Sequence, residues 1–287
     1  MNLLLALALM APGLPGAVVV KPVANMYSAA SEDADVVSQA ICGASVVLEE
    51  EGGGWVKVRT PDDYSGWMPV VSLRRYSPGA PTYATSRDVV QVASLFANVY
   101  REPSVTEHEP MLTLPFDARL EALSDTENSG ESRASPEWVK VRLPDERTGW
   151  IPRGDTTTES EALGIQDTIK LAERFIGLTY TWGGMSTFGF DCSGFTQMLV
   201  RHRGIVMPRD ADVQAAWKGV VPVRRNKLRA GDLLFFGPSP QKITHTGMYI
   251  GHGKFIHDTM HEHPGVQISR LGDPRWTKLL VACRRLK

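Results

Sequence analysis

An internal repeat constrains the fold of the first half of this 287-residue chain more than any other feature. Residues 55–62 read Trp-Val-Lys-Val-Arg-Thr-Pro-Asp, and residues 138–145 repeat them as Trp-Val-Lys-Val-Arg-Leu-Pro-Asp. A Gly-Trp pair follows each copy, at 66–67 and at 149–150. The chain therefore carries two copies of one small module, the second longer in its middle by about ten residues.

Each copy predicts β-structure. Val56 and Val58 alternate with charged residues, which is the period of a strand with one face in water. About five short strands in about sixty residues favour a small all-β barrel. The pattern resembles bacterial SH3-like domains, in which a Gly-Trp pair near the end is typical, and we predict such domains over 18–77 and 88–157. The resemblance implies binding of cell-wall peptide or shaping of a neighbouring active site, and a passive spacer is the alternative.

Charge and cysteine content limit the classes of function. The formal net charge of −1 provides no excess of basic side chains to neutralise phosphates, which argues against a nucleic-acid partner. The three cysteines lie far apart and form no Cys-x-x-Cys motif, so a four-thiolate zinc site is excluded. One working thiol and two buried ones fit this count, and a disulfide between Cys42 and Cys283 remains open.

The first residues predict a leader. An apolar block over 1–11 is too short to span a membrane and precedes Pro, Gly and Ala residues, as in the core and cleavage region of a signal peptide. We assign residues 1–17 to it and expect export to the periplasm or cell envelope. Because no Lys or Arg precedes the apolar block, a cytoplasmic protein is the alternative.

A third domain is predicted over residues 160–287. Apolar residues recur at helical spacing from Ile165 through Ile169 and Ala172, and Gly177 ends this helix. The segment lies within the ordinary size range of a single domain.

Cys192 is the candidate nucleophile of this domain. It stands in Phe-Asp-Cys-Ser-Gly over 190–194, where glycines and aromatic residues precede the predicted start of a helix. A helix N-terminus carries unpaired N–H groups and partial positive charge, which favour a thiolate, the form of cysteine that attacks carbonyls. A buried structural cysteine is the alternative, but it leaves the polar neighbours Asp191 and Ser193 unexplained.

Two histidines are candidates for the base that such a thiol needs. His245 begins a strand-like run, and His257 lies twelve residues later. A hairpin through residues 251–253 would bring the two rings to adjacent strands, where His257 could orient His245. Asp258 is a second possible orienter, but it should face the other side of the strand.

A metal site is not expected. His261 and His263 could join His257 around an ion, but they lie in a Pro-Gly loop and no His-Glu-x-x-His motif is present. We therefore predict neither a metal nor another cofactor.

Taken together, Cys192, His245 and His257 with their flanking residues resemble the NlpC family of cell-wall cysteine peptidases. The resemblance covers nearly all of 165–287 and implies an α+β papain-like (NlpC-type) catalytic domain, here preceded by two small all-β SH3-like barrels. It also implies that Cys192 is the nucleophile, His245 the general base and His257 its orienter, with Tyr180 near the oxyanion site.

The combination with SH3-like modules resembles one branch of the family, the γ-D-glutamyl-L-diamino-acid endopeptidases or dipeptidyl-peptidases VI. That branch implies a substrate with a free N-terminal L-Ala, and Asp191 and Ser193 as the residues that bind its amine. Tyr64 from the first module would close the pocket. We add Trp182 and an acid of the first module, Asp35 (or its neighbour Glu32), as further substrate-binding candidates.

The predicted reaction is acyl transfer at the γ-carbonyl of D-Glu in peptidoglycan-derived peptides, L-Ala-γ-D-Glu-diamino acid, followed by hydrolysis of the thioester.

We expect no nucleic-acid partner, no stable membrane insertion and a monomer. An amidase or acyltransferase, a hydrolase of intact cell wall anchored by its SH3-like modules, and a non-catalytic wall-binding protein are the alternatives.

Overall fold

The computed structural model describes residues 16–77, 79–85, 88–123, 136–158 and 162–287. The predicted leader lies outside these ranges, except for its last two residues, which begin the first strand. Within the described ranges, no helix has both the length and the apolar character needed to cross a membrane.

The described residues divide into two compact units. One unit holds both sequence repeats, from residue 16 to residue 158, apart from Asp62–Tyr64. The other holds Asp62–Tyr64 together with residues 162–287. The short turn 62–64 of the first repeat therefore belongs, by its contacts, with the unit that contains Cys192.

The first repeat forms a single antiparallel sheet. Its strands are β1 (Gly16–Val19), β2 (Val23–Tyr27), β3 (Val36–Ile41), β4 (Ser45–Gly52), β5 (Trp55–Arg59), β6 (Ser65–Pro69) and β7 (Leu73–Arg75). They pair in the order β3-β2-β6-β5-β4-β1-β7. Val56 and Val58 on β5 are buried while Lys57 between them is half-exposed, which confirms the predicted alternation.

The second repeat contributes a five-stranded sheet and a separate two-stranded pair. Its strands are β8 (Val89–Val92), β9 (Phe96–Val99), β10 (Leu112–Pro115), β11 (Arg119–Ala122), β12 (Trp138–Arg142), β13 (Thr148–Pro152) and β14 (Thr156–Thr158). The sheet order is β13-β12-β11-β8-β14, and β9 pairs with β10.

The repeated Gly-Trp pairs have one steric explanation. A Cβ on Gly66 would lie 3.0 Å from the Cβ of Met26, and a Cβ on Gly149 would lie 2.6 Å from a methyl of Val99. Met26 and Val99 occupy equivalent places in the two copies. Only glycine allows the strands to approach this closely, so the sequence repeat reflects a repeated packing arrangement.

The aromatic contacts repeat as well. The Tyr27 ring meets the Trp55 ring edge to face at 5.3 Å, and Tyr100 meets Trp138 in the same way at 5.7 Å. Such pairs add stability beyond the area they bury, by about 1 kcal/mol each.

Cys42 connects the two repeats. It lies in the first repeat, but its buried side chain belongs to the hydrophobic cluster of the second repeat, with Val92, Val141 and Leu143 among its members. The backbone N–H of Arg119 donates to the carbonyl of Cys42. Cys42 and Cys283 are both free thiols, so the disulfide left open by the sequence is not formed.

The unit that contains Cys192 is a mixed α/β structure. Its helices are α1 (Ile165–Glu173), α2 (Cys192–Arg201), α3 (Ala211–Ala216) and α4 (Pro274–Leu279). Its strands are β15 (Met185–Ser186), β16 (Gly189–Phe190), β17 (Val220–Pro222), β18 (Leu233–Phe236), β19 (His245–Gly251), β20 (Lys254–Thr259), β21 (Gly265–Arg270) and β22 (Leu280–Leu286). Six of them form one antiparallel sheet in the order β17-β22-β18-β19-β20-β21, and α2 packs on β19 and β20.

The hairpin predicted through residues 251–253 is confirmed. Strands β19 and β20 pair antiparallel, with Met248 opposite Ile256 and Gly251 opposite Lys254. Strand β21 extends this meander by one more strand and places Gln267 opposite His257. In such a meander, two residues whose separation in the sequence equals the length of one hairpin lie close together on neighbouring strands.

Candidate active site

Cys192 is the first residue of α2, a helix that is buried along nearly its whole length. Asp191 caps the helix, because its Oδ1 accepts a hydrogen bond of 2.7 Å from the backbone N–H of Gly194. Phe195 anchors the first turn against the rings of Phe175 and Phe190, at centroid distances of 6.1 and 5.7 Å. The position of the thiol is thus fixed by a cap and by an aromatic cluster.

The Cys192 thiol is protonated in this environment. Burial, followed by the negative charge of Asp191, raises its pKa to about 12. Backbone hydrogen bonds from Thr246 and Ser193 act in the opposite direction but do not offset the burial. The sequence predicted that the helix N-terminus favours a thiolate; at this site, which is 7% exposed, the loss of solvent acts in the opposite direction.

His245 is the first residue of β19, and the backbone of the next residue, Thr246, supplies one of the hydrogen bonds to the Cys192 sulfur. Its ring stacks on Trp276 at 5.3 Å and contacts Phe236 at 5.7 Å. Burial, followed by the positive charge of Arg275, lowers the pKa of His245 to about 3. The imidazole is therefore neutral and able to accept a proton.

His257 supports the His245 ring through a hydrogen bond. The Nε2 of His245 lies 2.7 Å from the Nδ1 of His257, whose ring is fully buried. The Nε2 of His257 in turn lies 3.0 Å from the hydroxyl of Ser269 on β21. For His245 to accept a proton at Nδ1, its Nε2 must donate to His257, and His257 must then donate to Ser269.

Ser269 was not identified from the sequence. His245, His257 and Ser269 are each twelve residues apart and lie on three consecutive strands of the meander. Extending the predicted hairpin by one strand would have brought residue 269 to the site. The loop between β20 and β21 is longer than a two-residue turn, so the Pro-Gly pair at its end does not fix this register.

Asp191 is held by a buried arginine that the sequence analysis also missed. Arg209 is 2% exposed, and it donates to Asp191 Oδ1 and Oδ2 at 3.0 and 2.6 Å. The N–H of Gly183 reaches Oδ2 at 3.1 Å. Ser193 donates to Oδ1 at 3.1 Å and accepts a bond of 2.7 Å from Arg209.

This network gives Asp191 and Ser193 a structural role. That they bind the substrate amine stays a prediction; a carboxylate has about four acceptor sites, and those of Asp191 accept from Arg209, Ser193 and two backbone N–H groups. The two residues therefore build the start of α2 and hold the thiol in place. No local pattern marks Arg209 as buried, since its burial depends on the packing of 207–210 around α2.

Tyr64 lies in the same unit as Cys192 and forms a hydrogen bond with Asp210 through its hydroxyl. Burial raises the pKa of Tyr64, and the charge of Asp210 adds to this effect. Burial also raises the pKa of Asp210, which directly follows Arg209 in the chain. Nearby, Gln197 of α2 donates to Asp62 at 2.8 Å. Asp210, like Ser269 and Arg209, was not identified from the sequence.

The remaining predicted residues differ in their surroundings. Tyr180 is partly buried, and after burial the nearby Cys192 is the main cause that raises its pKa. Trp182 is 70% exposed in the loop before β15. Asp35 is exposed and lies in the unit of the repeats, not in the unit of Cys192.

Within the described residues, no cluster of His, Cys, Asp or Glu has the geometry to hold a metal ion.

This arrangement supports nucleophilic acyl chemistry. The thiol sits at a helix start, the backbone of the residue after His245 donates to its sulfur, and the neutral His245 imidazole is oriented by a second histidine. Proton transfer from Cys192 to His245 would generate the nucleophile at the moment of attack, without a standing ion pair. The backbone N–H of Cys192 and the hydroxyl of Tyr180 are available as donors for an oxyanion.

Comparison with known proteins places the chain in a family. Models of the NlpC/P60 family and of the bacterial dipeptidyl-peptidase Sh3 domain match residues 177–285 and 26–73. A γ-D-glutamyl-L-lysine dipeptidyl-peptidase of Bacillus cereus is 32% identical over 86% of this chain and 74% of its own length. A protein of the same name from Bacillus subtilis is 33% identical over 87% of this chain and 81% of its own length.

A solved structure agrees with these matches. The crystal structure of an NlpC/P60 family protein from Bacillus cereus aligns with a TM-score of 0.78 and 27% identity, covering 94% of this chain and 99% of that one. The expected combination of a peptidase domain with a bacterial SH3-like domain is thus confirmed. The chain belongs to the NlpC/P60 family and is a cysteine peptidase.

Proposed function

We propose that the protein hydrolyses the bond between γ-D-Glu and the diamino acid in peptidoglycan-derived peptides that begin with a free L-Ala. The observation that carries this specificity is the hydrogen-bonded pair of Tyr64 and Asp210 in the unit of the nucleophile. The names of the Bacillus relatives, γ-D-glutamyl-L-lysine dipeptidyl-peptidases, support the same substrate class.

The reaction begins when the Cys192 sulfur attacks the γ-carbonyl of D-Glu and its proton passes to Nδ1 of His245. The oxyanion that forms is stabilised by the N–H of Cys192 and by Tyr180. The His245 imidazolium then donates its proton to the leaving amine, and the C–N bond breaks. A water molecule, deprotonated by His245, attacks the thioester and releases L-Ala-γ-D-Glu and the free thiol.

Asp210 replaces Asp191 as the proposed acceptor for the substrate ammonium. Asp191 is already engaged by Arg209 through two hydrogen bonds, whereas the carboxylate of Asp210 accepts from the Tyr64 hydroxyl and lies within the electrostatic reach of Arg209. An ammonium paired with a partly buried carboxylate forms a charge-assisted hydrogen bond. An acylated N-terminus lacks that charge, so the pocket would select peptides with a free amine.

The second repeat is proposed to be a second SH3-like module. Two contacts of the first repeat support this proposal because they recur here: the close packing at Gly149 and the ring contact between Tyr100 and Trp138. In the position equivalent to Tyr64, the second copy has Arg147. The side chain of Arg147 pairs with Asp145 at 2.7 Å, so this copy is proposed to have a structural role, away from the chemistry.

The experiment compares L-Ala-γ-D-Glu-L-Lys with its N-acetylated form, using the wild-type protein and Asp210→Asn. We expect the wild type to prefer the free amine by about 100-fold in kcat/KM and D210N to lose most of that preference, since a charge-assisted bond contributes about 1.5–3 kcal/mol. Cys192→Ala is the inactive control. Equal cleavage of both peptides by the wild type would contradict the amine pocket, and cleavage of neither would contradict the proposed substrate.

A further inference from the structure

A cavity of about 340 Å³ opens on the side of His245. Its walls include Tyr180, His245, Met260, His261, Arg275 and Trp276. None of Tyr64, Asp191, Arg209 and Asp210 lines it. The cavity therefore does not include the residues that the proposed function assigns to the substrate amine, while His245 and Tyr180 are part of its wall.

The side of His245 is where the leaving group must lie. In the proposed reaction, the imidazolium donates its proton to the departing amine, so the atoms attached to that amine must be within reach of the ring. The proposed function assigns the acyl part of the substrate to Tyr64 and Asp210, neither of which lines the cavity. The cavity, which His245 lines, is therefore the place for the part of the peptide that follows the scissile bond.

The cavity wall carries a positive side chain and no acidic one. Arg275 is exposed, and its guanidinium lies over the Trp276 ring at 5.6 Å. Among the residues that the structure describes, no carboxylate pairs with it, and the lining of the cavity contains no Asp or Glu. The positive charge is close enough to His245 to lower the pKa of that ring.

We propose that this cavity binds the diamino acid of the substrate and that Arg275 pairs with a carboxylate of that residue. The inference rests on the proposed function and extends it to the leaving group. An arginine whose planar face is already held on an aromatic ring is well oriented for a carboxylate. Two carboxylates have this chemistry, the C-terminal one of a tripeptide and the side-chain one of diaminopimelate.

Four peptides distinguish these two sources. They are L-Ala-γ-D-Glu-L-Lys and L-Ala-γ-D-Glu-diaminopimelate, each with a free C-terminal carboxylate and as the C-terminal amide. Each is assayed with the wild type, Arg275→Gln, Arg275→Lys and Lys278→Gln. Lys278 is the matched control, because it is an exposed cation on the same helix that does not line the cavity.

We expect R275Q to raise KM about tenfold or more for peptides that carry the recognised carboxylate and to change it less than about twofold for those that lack it, as expected for a charged hydrogen bond. R275K should retain part of the effect, and K278Q should match the wild type. Loss of the Arg275 charge also changes the pKa of His245. That change acts on every peptide, so it cancels when the KM of a free acid is divided by the KM of its amide.

The pattern across the four peptides identifies the carboxylate. If R275Q raises the KM of both free acids and of neither amide, Arg275 pairs with the C-terminal carboxylate. If it raises the KM of both diaminopimelate peptides and of neither lysine peptide, Arg275 pairs with the side-chain carboxylate. An equal effect on all four peptides, or none, would overturn the proposal while leaving the wild-type activity in place. Absence of wild-type cleavage would instead overturn the proposed function and this inference with it.

Discussion

The guanidinium of Arg209 and the carboxylate of Asp191 form two parallel hydrogen bonds, of 3.0 and 2.6 Å, with both side chains almost fully buried. The pair lies directly before the nucleophile and caps the helix that carries it. Removing one partner leaves the other charge buried without compensation, which costs more free energy than the pair itself contributes.

Arg209→Met should therefore reduce the free energy of unfolding by about 3–5 kcal/mol, measured by urea denaturation. The double variant with Asp191→Asn should recover part of that loss, because no buried charge is then left unpaired. A loss below about 1 kcal/mol in R209M would show that solvent reaches the carboxylate.

The Cys192 thiol should react slowly with iodoacetamide near neutral pH in the free enzyme. Since burial raises its pKa to about 12, the alkylation rate should increase about tenfold per pH unit between pH 7 and pH 9 without reaching a plateau. Mass spectrometry of the modified peptide measures this rate, and Cys192→Ala reports the background from Cys42 and Cys283. A plateau below pH 8 would reveal a standing ion pair between the thiolate and an imidazolium.

The hydrogen-bonded chain from His245 through His257 to Ser269 should control kcat far more than KM. His257→Leu removes the group that fixes the His245 tautomer, and we expect kcat to fall about 100-fold with KM within about twofold. His257→Asn can place an amide oxygen where Nδ1 stood and should restore much of the loss.

Ser269→Ala tests the far end of the same chain. It removes one hydrogen bond, which contributes about 1 kcal/mol, so kcat should fall about fivefold. A change in KM, with kcat preserved, would indicate that His257 and Ser269 bind substrate and do not position the base.

Asp258 should make the stability of the wild type depend on pH. The residue is fully buried, neither carboxylate oxygen has a well-formed hydrogen bond, and burial raises its pKa to about 8. Between about pH 4 and pH 8, the folded state keeps a proton that the unfolded state releases, so stability falls as the pH rises through this window.

Asp258→Asn abolishes this titration. The melting temperature of D258N relative to the wild type should therefore rise steadily from pH 5 to pH 8 and level off above it. Differential scanning calorimetry across this range measures the difference. Parallel curves for the two proteins would mean that solvent or a cation relieves the carboxylate.

The sequence was informative where function depends on local geometry. The spacing from His245 to His257 and the turn at 251–253 predicted a hairpin that the structure contains. The repeated Gly-Trp pairs predicted equivalent modules, and the structure shows the same close approach at Gly66 and Gly149.

The sequence was uninformative where burial arises from distant packing. Arg209 and Asp210 lie in a short irregular segment whose pattern is that of an exposed turn, and only the fold around α2 buries the arginine. The ion pair of Asp191 was not predicted for the same reason, because its partner was not recognised. The protonated state of Cys192 also depends on burial, which the local helix signal does not contain.

The location of Cys42 has a consequence for how this protein can be divided or recombined. Its side chain completes the core of the neighbouring repeat, and a Cβ on the adjacent Gly43 would lie 2.2 Å from the Arg119 carbonyl. A fragment that starts after the first repeat would lack a piece of its own interior. The two repeats therefore share an interior, and an exchange of segments with a homologue should place its crossover points outside the pair.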